Sequence, residues 1–201
     1  MEAALGIGLV LGAALAIPLT TTSVLLLALW RRRARSVAVA ALLGVAVTDG
    51  VLAASGIAIG TAIGGLFSDA GLRATVAAGL LVGVCGWIAF RLLVGPPGVA
   101  ANAVLPDTAA GAFARFAAVA LFDPLAGFAT AAVSVARPEV GRDALGPIVV
   151  AGLVAGGLAS RGVWIATGAG RSGARSARWS QVGLGLAGIL LIAWVALRIG
   201  P

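Results

Sequence analysis

Six stretches of this chain are apolar almost without interruption, and each is long enough to matter. They run approximately Ala3–Trp30, Ser36–Gly60, Arg73–Val94, Thr108–Ala136, Asp143–Gly168 and Trp179–Ile199. A helix needs about 20 consecutive apolar residues to cross the hydrocarbon core of a bilayer. Only helices or closed barrels satisfy their backbone there, and these runs are continuous where barrel strands would alternate. The sequence therefore predicts an all-α integral membrane protein with six transmembrane helices. The links Arg31–Arg35, Thr61–Leu72, Gly95–Asp107, Arg137–Arg142 and Ala169–Arg178 are too short for a soluble domain, so residues 1–201 read as one transmembrane domain. Met1-Glu2-Ala3 lacks a basic n-region, so the first run reads as a retained helix and not as a signal peptide.

Composition narrows the chemistry. The chain is 61% hydrophobic and 10% charged, against about 45–50% and about 25% in soluble domains. It has no His and a single cysteine, Cys85. An intramolecular disulfide and a Ser-His or Cys-His nucleophile are excluded, and a transition-metal site would have to rest on scattered carboxylates, which suit zinc or copper poorly. Gly168–Gly173 lacks the Gly-Lys-Ser/Thr of a phosphate loop. Asp49 and Asp123 each stand alone in their run, unlike the clustered carboxylates of metal-dependent phosphotransfer. No enzyme and no cofactor is expected.

The net charge of +7 comes from 14 arginines against 7 acids. Most of the arginines lie at or between the ends of the apolar runs, so they read as topology signals and not as a nucleic-acid surface. Arg31, Arg32, Arg33, Arg35, Arg91, Arg171, Arg175 and Arg178 fall on one side, against Arg73, Arg137, Arg142 and Arg198 on the other. The positive-inside rule places the first set in the cytoplasm and both termini outside a plasma membrane. Trp30, Trp164 and Trp179 lie near run ends, where indole rings anchor at the interface.

Helices 1 and 4 share a design. Each is long, and each has a proline deep inside, Pro18 and Pro124, which lie 106 residues apart. Three helices per half is odd, so two repeats, about 1–95 and 108–201 joined by loop 96–107, must insert in opposite senses. That is the inverted-repeat plan of secondary transporters, whose sites form where paired helices break near the midplane.

With these features in view, the chain resembles the LysE/RhtB superfamily of amino-acid exporters over nearly its whole length. Pro18 followed by an Arg-rich turn looks like the family's proline-containing opening segment. Leu43–Asp49 resembles its Gly-then-Gly-Asp stretch, and Phe113–Pro124 looks like the start of its second half. Three departures stand out: the opening Pro-Gly-Pro is reduced to Pro18, Asp123 replaces Asn, and Leu125 replaces Lys. The resemblance implies export of amino acids or related amino-containing solutes, driven by the proton gradient, by a homodimer. It also brings in export of a metal cation or a lipid-like solute, as in distant relatives.

The candidate pathway residues are Asp49, Asp123, Pro18, Pro124, Thr20, Thr48 and Arg115. An Asp at the centre of a spanning helix costs about 2.5–3.5 kcal/mol on insertion scales. Asp49 therefore reads as a cation or proton site with Thr48 beside it, or as a protonated side chain bonding another helix. Removing its charge in Asp49→Asn is expected to leave folding intact. Pro124 has no N–H, which should free the carbonyl of Ala120 beside Asp123 as a perch for an ammonium group. Asp123 could equally cap the helix that follows. Pro18 should free Ala14 in the same way, with Thr20, Thr21, Thr22 and Ser23 lining a polar path or bonding back to their own helix. The helix restarting after Pro18 presents a positive dipole end suited to a carboxylate. Arg115 and Arg161 either snorkel to the surface or pair with Asp123, Asp49 or an anionic solute.

Gly8/Gly12, Gly60/Gly64, Gly79/Gly83 and Gly152/Gly156 have the spacing of close helix contacts and are expected to support a homodimer. A membrane scaffold without a transported solute is the competing class, and it gives no reason for two intramembrane carboxylates. The topology has a direct test. Cysteines placed at 31–35 and 171–178 should react with an impermeant thiol reagent only from the cytoplasm, and labelling from outside would overturn the orientation.

Overall fold

The computed structural model describes residues 2–16, 21–94, 105–142, 144–168 and 186–193. Among them the secondary structure is helical: α1 Glu2–Leu15, α2 Thr21–Arg32, α3 Arg35–Gly65, α4 Ala70–Val94, α5 Ala109–Leu121, α6 Leu125–Ala136, α7 Glu139–Arg142 and α8 Leu145–Gly168. A further helical stretch covers 186–193, within the expected sixth run. By length and composition α3, α4 and α8 can each cross a membrane, and the bent pair α5–α6 passes the same test if it is counted as one span. Several long apolar helices of this kind mark a multi-pass membrane protein.

Within the described residues, one break falls where a proline predicts it. Helix 4 divides into α5 and α6 at Phe122-Asp123-Pro124, with a bend of 51°. Helix 1 divides into α1 and α2, while Pro18 and Thr20 lie outside the described residues. Other boundaries move for local reasons. The link expected at 61–72 shrinks to 66–69, because Gly60 and Gly64 keep α3 packed on α6 for another turn. Asp69 then caps α4, accepting the N–H groups of Gly71 and Leu72 at 3.1 Å each, so that helix begins at Ala70 and not at Arg73. The 137–142 link contains the short helix α7.

At about 1.5 Å per residue, the 31 residues of α3 span about 46 Å, more than the hydrocarbon thickness. α3 is the central rod, packing on α5, α6 and α8, while α1 lies along α8. Lipid tails are as apolar as leucine, so such helices associate by close backbone approach and interhelical hydrogen bonds. Small residues supply the approach. A Cβ at Gly8 or Gly12 would run into the backbone of Val149 or Leu153, and one at Gly156 into the carbonyl of Leu9. On α3, Gly44 faces Phe113, Gly56 faces Gly127, Gly60 faces Ala131 and Gly64 faces Val135. Two hydroxyls close the same seam. Thr48 donates to its own helix at Gly44 (3.1 Å) and to Ala117 of α5 (3.2 Å). Thr130 of α6 donates to Ala126 (2.8 Å) and to Ala53 of α3 (3.0 Å). At one end of the bundle, Arg33 pairs with Asp107 at 2.6 Å, tying the α2–α3 turn to the approach to α5.

These contacts revise the expected dimer faces. Gly8/Gly12, Gly60/Gly64 and Gly152/Gly156 are used within the chain, and of the four pairs only Gly79/Gly83 on α4 faces open space. Stability should follow this division. Gly12→Ala and Gly56→Ala should each destabilise by roughly 1–3 kcal/mol through overpacking. Gly79→Ala should be neutral or stabilising, since Ala favours a helix. Unfolding in mild detergent measures all three, and equal effects would contradict the packing.

Candidate functional site

The interior charge is organised around one ion pair. Asp49 lies near the middle of α3, and its Oδ2 sits 2.7 Å from Nη1 of Arg161 on α8. The two side chains are 14% and 9% exposed, so the pair is largely withdrawn from solvent. Gly157, one turn before Arg161, makes room for it: a Cβ there would stand 3.3 Å from Nη1. The guanidinium is not saturated, because its Nε is buried with no hydrogen-bond partner among the described residues.

The pair borders a small cavity of about 20 Å³, open to water-sized probes and also lined by Gly12, Ala16, Asp123, Leu125 and Ala126. That is room for about one water molecule. Its walls come from four helices and the break. The end of α1 contributes Leu15 and Ala16, and the first residues of α6 contribute Leu125 and Ala126. A helix C-terminus carries partial negative charge and an N-terminus partial positive charge. Two carboxylates and a C-terminal end therefore share the cavity with one guanidinium and an N-terminal end. Both signs of charge border a space that holds about one water.

Asp49 and Asp123 thus line one cavity, although 74 residues separate them in the sequence. Of the two fates left open for Arg161, pairing with Asp49 is the one observed. Other expected residues lie elsewhere. Thr48 is turned about 100° from Asp49 by helix geometry, and its hydroxyl bridges α3 to α5. Arg115 lies on the exposed side of α5, because Ala112, Phe116 and Ala120 form its buried stripe. The Ala120 carbonyl is not freed by Pro124: it accepts the N–H of Asp123 at 2.9 Å as the end of α5 tightens. Pro124 stands at the N-cap of α6, where it makes no side-chain cap. The buried Thr130, Gly157 and the cavity-lining Leu125 were not singled out from sequence for these roles. Thr130 and Gly157 could have been found only as small or hydroxylated residues on a face whose partner was unknown.

No family model, no curated protein and no solved structure matches this chain.

The ion pair corrects the expectation that Asp49→Asn leaves folding intact. Removing one partner strands the other charge in a dry site, at about 3–5 kcal/mol. Asp49→Asn and Arg161→Gln should each lower unfolding stability by that order, and the double variant should recover much of the loss. Simple addition of the two losses in the double variant would show that the charges are not coupled.

Proposed function

We propose that this chain is a secondary transporter of the LysE/RhtB type, exporting amino acids or related small amino-containing solutes across the plasma membrane. The observation that carries this is the composition of the central cavity, which Asp49, Asp123 and Arg161 line between the end of α1 and the start of α6. The carboxylates suit the ammonium of a zwitterion, and the guanidinium with the α6 N-terminus suits its carboxylate. A passive scaffold has no use for this costly intramembrane arrangement.

The six-helix inverted repeat belongs to the same proposal. The first part of each broken helix packs on the long helix of the other half in one case, α1 on α8, and on that of the first half in the other, α5 on α3. The ion pair joins α3 to α8, and so joins the two halves. With room for about one water, the cavity corresponds to a closed state, and solute entry requires it to widen. Protons are the coupling ion in this scheme.

Counterflow of labelled amino acids in proteoliposomes tests the proposal. Losing a charge-assisted hydrogen bond costs about 1.5–3 kcal/mol, so Asp49→Asn should reduce exchange by about tenfold or more at matched protein levels. Asp123→Asn should cost less and alter pH dependence or solute preference, since Asn is the residue that the resemblance expects there. Undiminished exchange in both variants would return the carboxylates to a structural role.

A further inference from the structure

A second, larger space lies on the other side of the helix break. Between α4 and the α5–α6 bend is an apolar cleft of about 460 Å³, bordered by Gly79, Gly83 and Trp87 on one wall and by Phe122, Pro124 and Phe128 on the other. Its size falls within the range of small-molecule sites, about 300–1,000 Å³. The turn that lines it also lines the polar cavity. Asp123 and Ala126 face the polar side, Phe122, Pro124 and Phe128 face the cleft, and Leu125 borders both.

We propose that the two spaces are the head and tail subsites of one amphipathic solute, with Leu125 as the septum between them. The solute class is an α-amino acid whose side chain is a long apolar tail. This rests on the transport function proposed above and narrows it. Three observations lead to it. The polar cavity must widen even for a head group, and the larger space already open beside it, for a side chain, lies past Leu125, which lines both. The cleft is deep because α4 carries glycine there. Unlike Gly12 or Gly56, Gly79 and Gly83 meet nothing within 4 Å, so helix packing does not require them. Glycine in a helix interior is unfavourable relative to alanine, and at these positions what its small size preserves is open volume. The remaining walls are aromatic rings and proline, surfaces suited to an alkyl chain and not to a charged one.

The test is competition for counterflow of labelled alanine by straight-chain 2-amino acids, from alanine to 2-aminooctanoate, in proteoliposomes. Wild-type protein should bind the series more tightly by about two- to fourfold per added methylene. Gly83→Leu, whose new side chain enters the cleft, should flatten that series, and Gly79→Leu provides a second variant with the same expectation. Val82→Leu, on a residue 71% exposed and outside the cleft, should keep the slope. A flat wild-type series with alanine still exchanged, or an unchanged slope in both glycine variants, overturns the tail subsite alone. No exchange by any member overturns the transport function and the subsite with it. A glycine variant that converts a dimer to a monomer while keeping the slope gives the cleft to a second copy of the chain, and also overturns the subsite.

Discussion

Everything in this bundle depends on how closely its helices approach. In hydrocarbon, burying one apolar face against another gains little over leaving it in lipid, so contact has to come from dense packing and from hydrogen bonds between helices. Gly44, Gly56, Gly60 and Gly64 bring α5 and α6 onto α3, and Gly8, Gly12, Gly152 and Gly156 do the same for α1 and α8. Thr48 and Thr130 add hydroxyl bridges to backbone carbonyls on the two sides of the break. Larger residues at these seams would hold the rods apart.

The ion pair then accounts for how two intramembrane charges are tolerated. Each alone is costly, and paired at 2.7 Å they border a small cavity that Asp123 also lines. Stability and chemistry are therefore linked here: the groups that could take a zwitterion are the same groups that neutralise each other in its absence.

Much of the helical frame was legible in the sequence, because helix length and apolar continuity are local properties. The break at Pro124 follows from a missing N–H, which is equally local. Contacts between distant residues were less accessible. Asp49 was visible as a charge out of place, but its partner was not, since Arg161 lies more than 100 residues away and had two reasonable fates. Arg115 lies outside the central cavity because one position of offset on a helix turns a side chain by about 100°, away from the stripe of Ala112, Phe116 and Ala120. The GxxxG pairs were visible as spacing, yet spacing does not say whether the facing helix belongs to the same chain. The link at 66–69 departed from expectation because a cap at Asp69 and a seam at Gly64 outweighed the fall in hydropathy.

The distribution of clamps has a mechanical consequence. α5 is fastened to α3 through Gly44 and Thr48, and α6 is fastened to the same rod through Gly56, Gly60 and Thr130. Although the chain is bent at residues 122–124, both arms of that elbow are bolted to one beam, so it is a fixed corner and not a working joint. α1 and α8 form a second bolted unit. Between the two units the contact of α3 with α8 is thinner, and the Asp49–Arg161 pair sits on that line. A rocking motion of one unit against the other would pivot there, with the salt bridge acting as its latch.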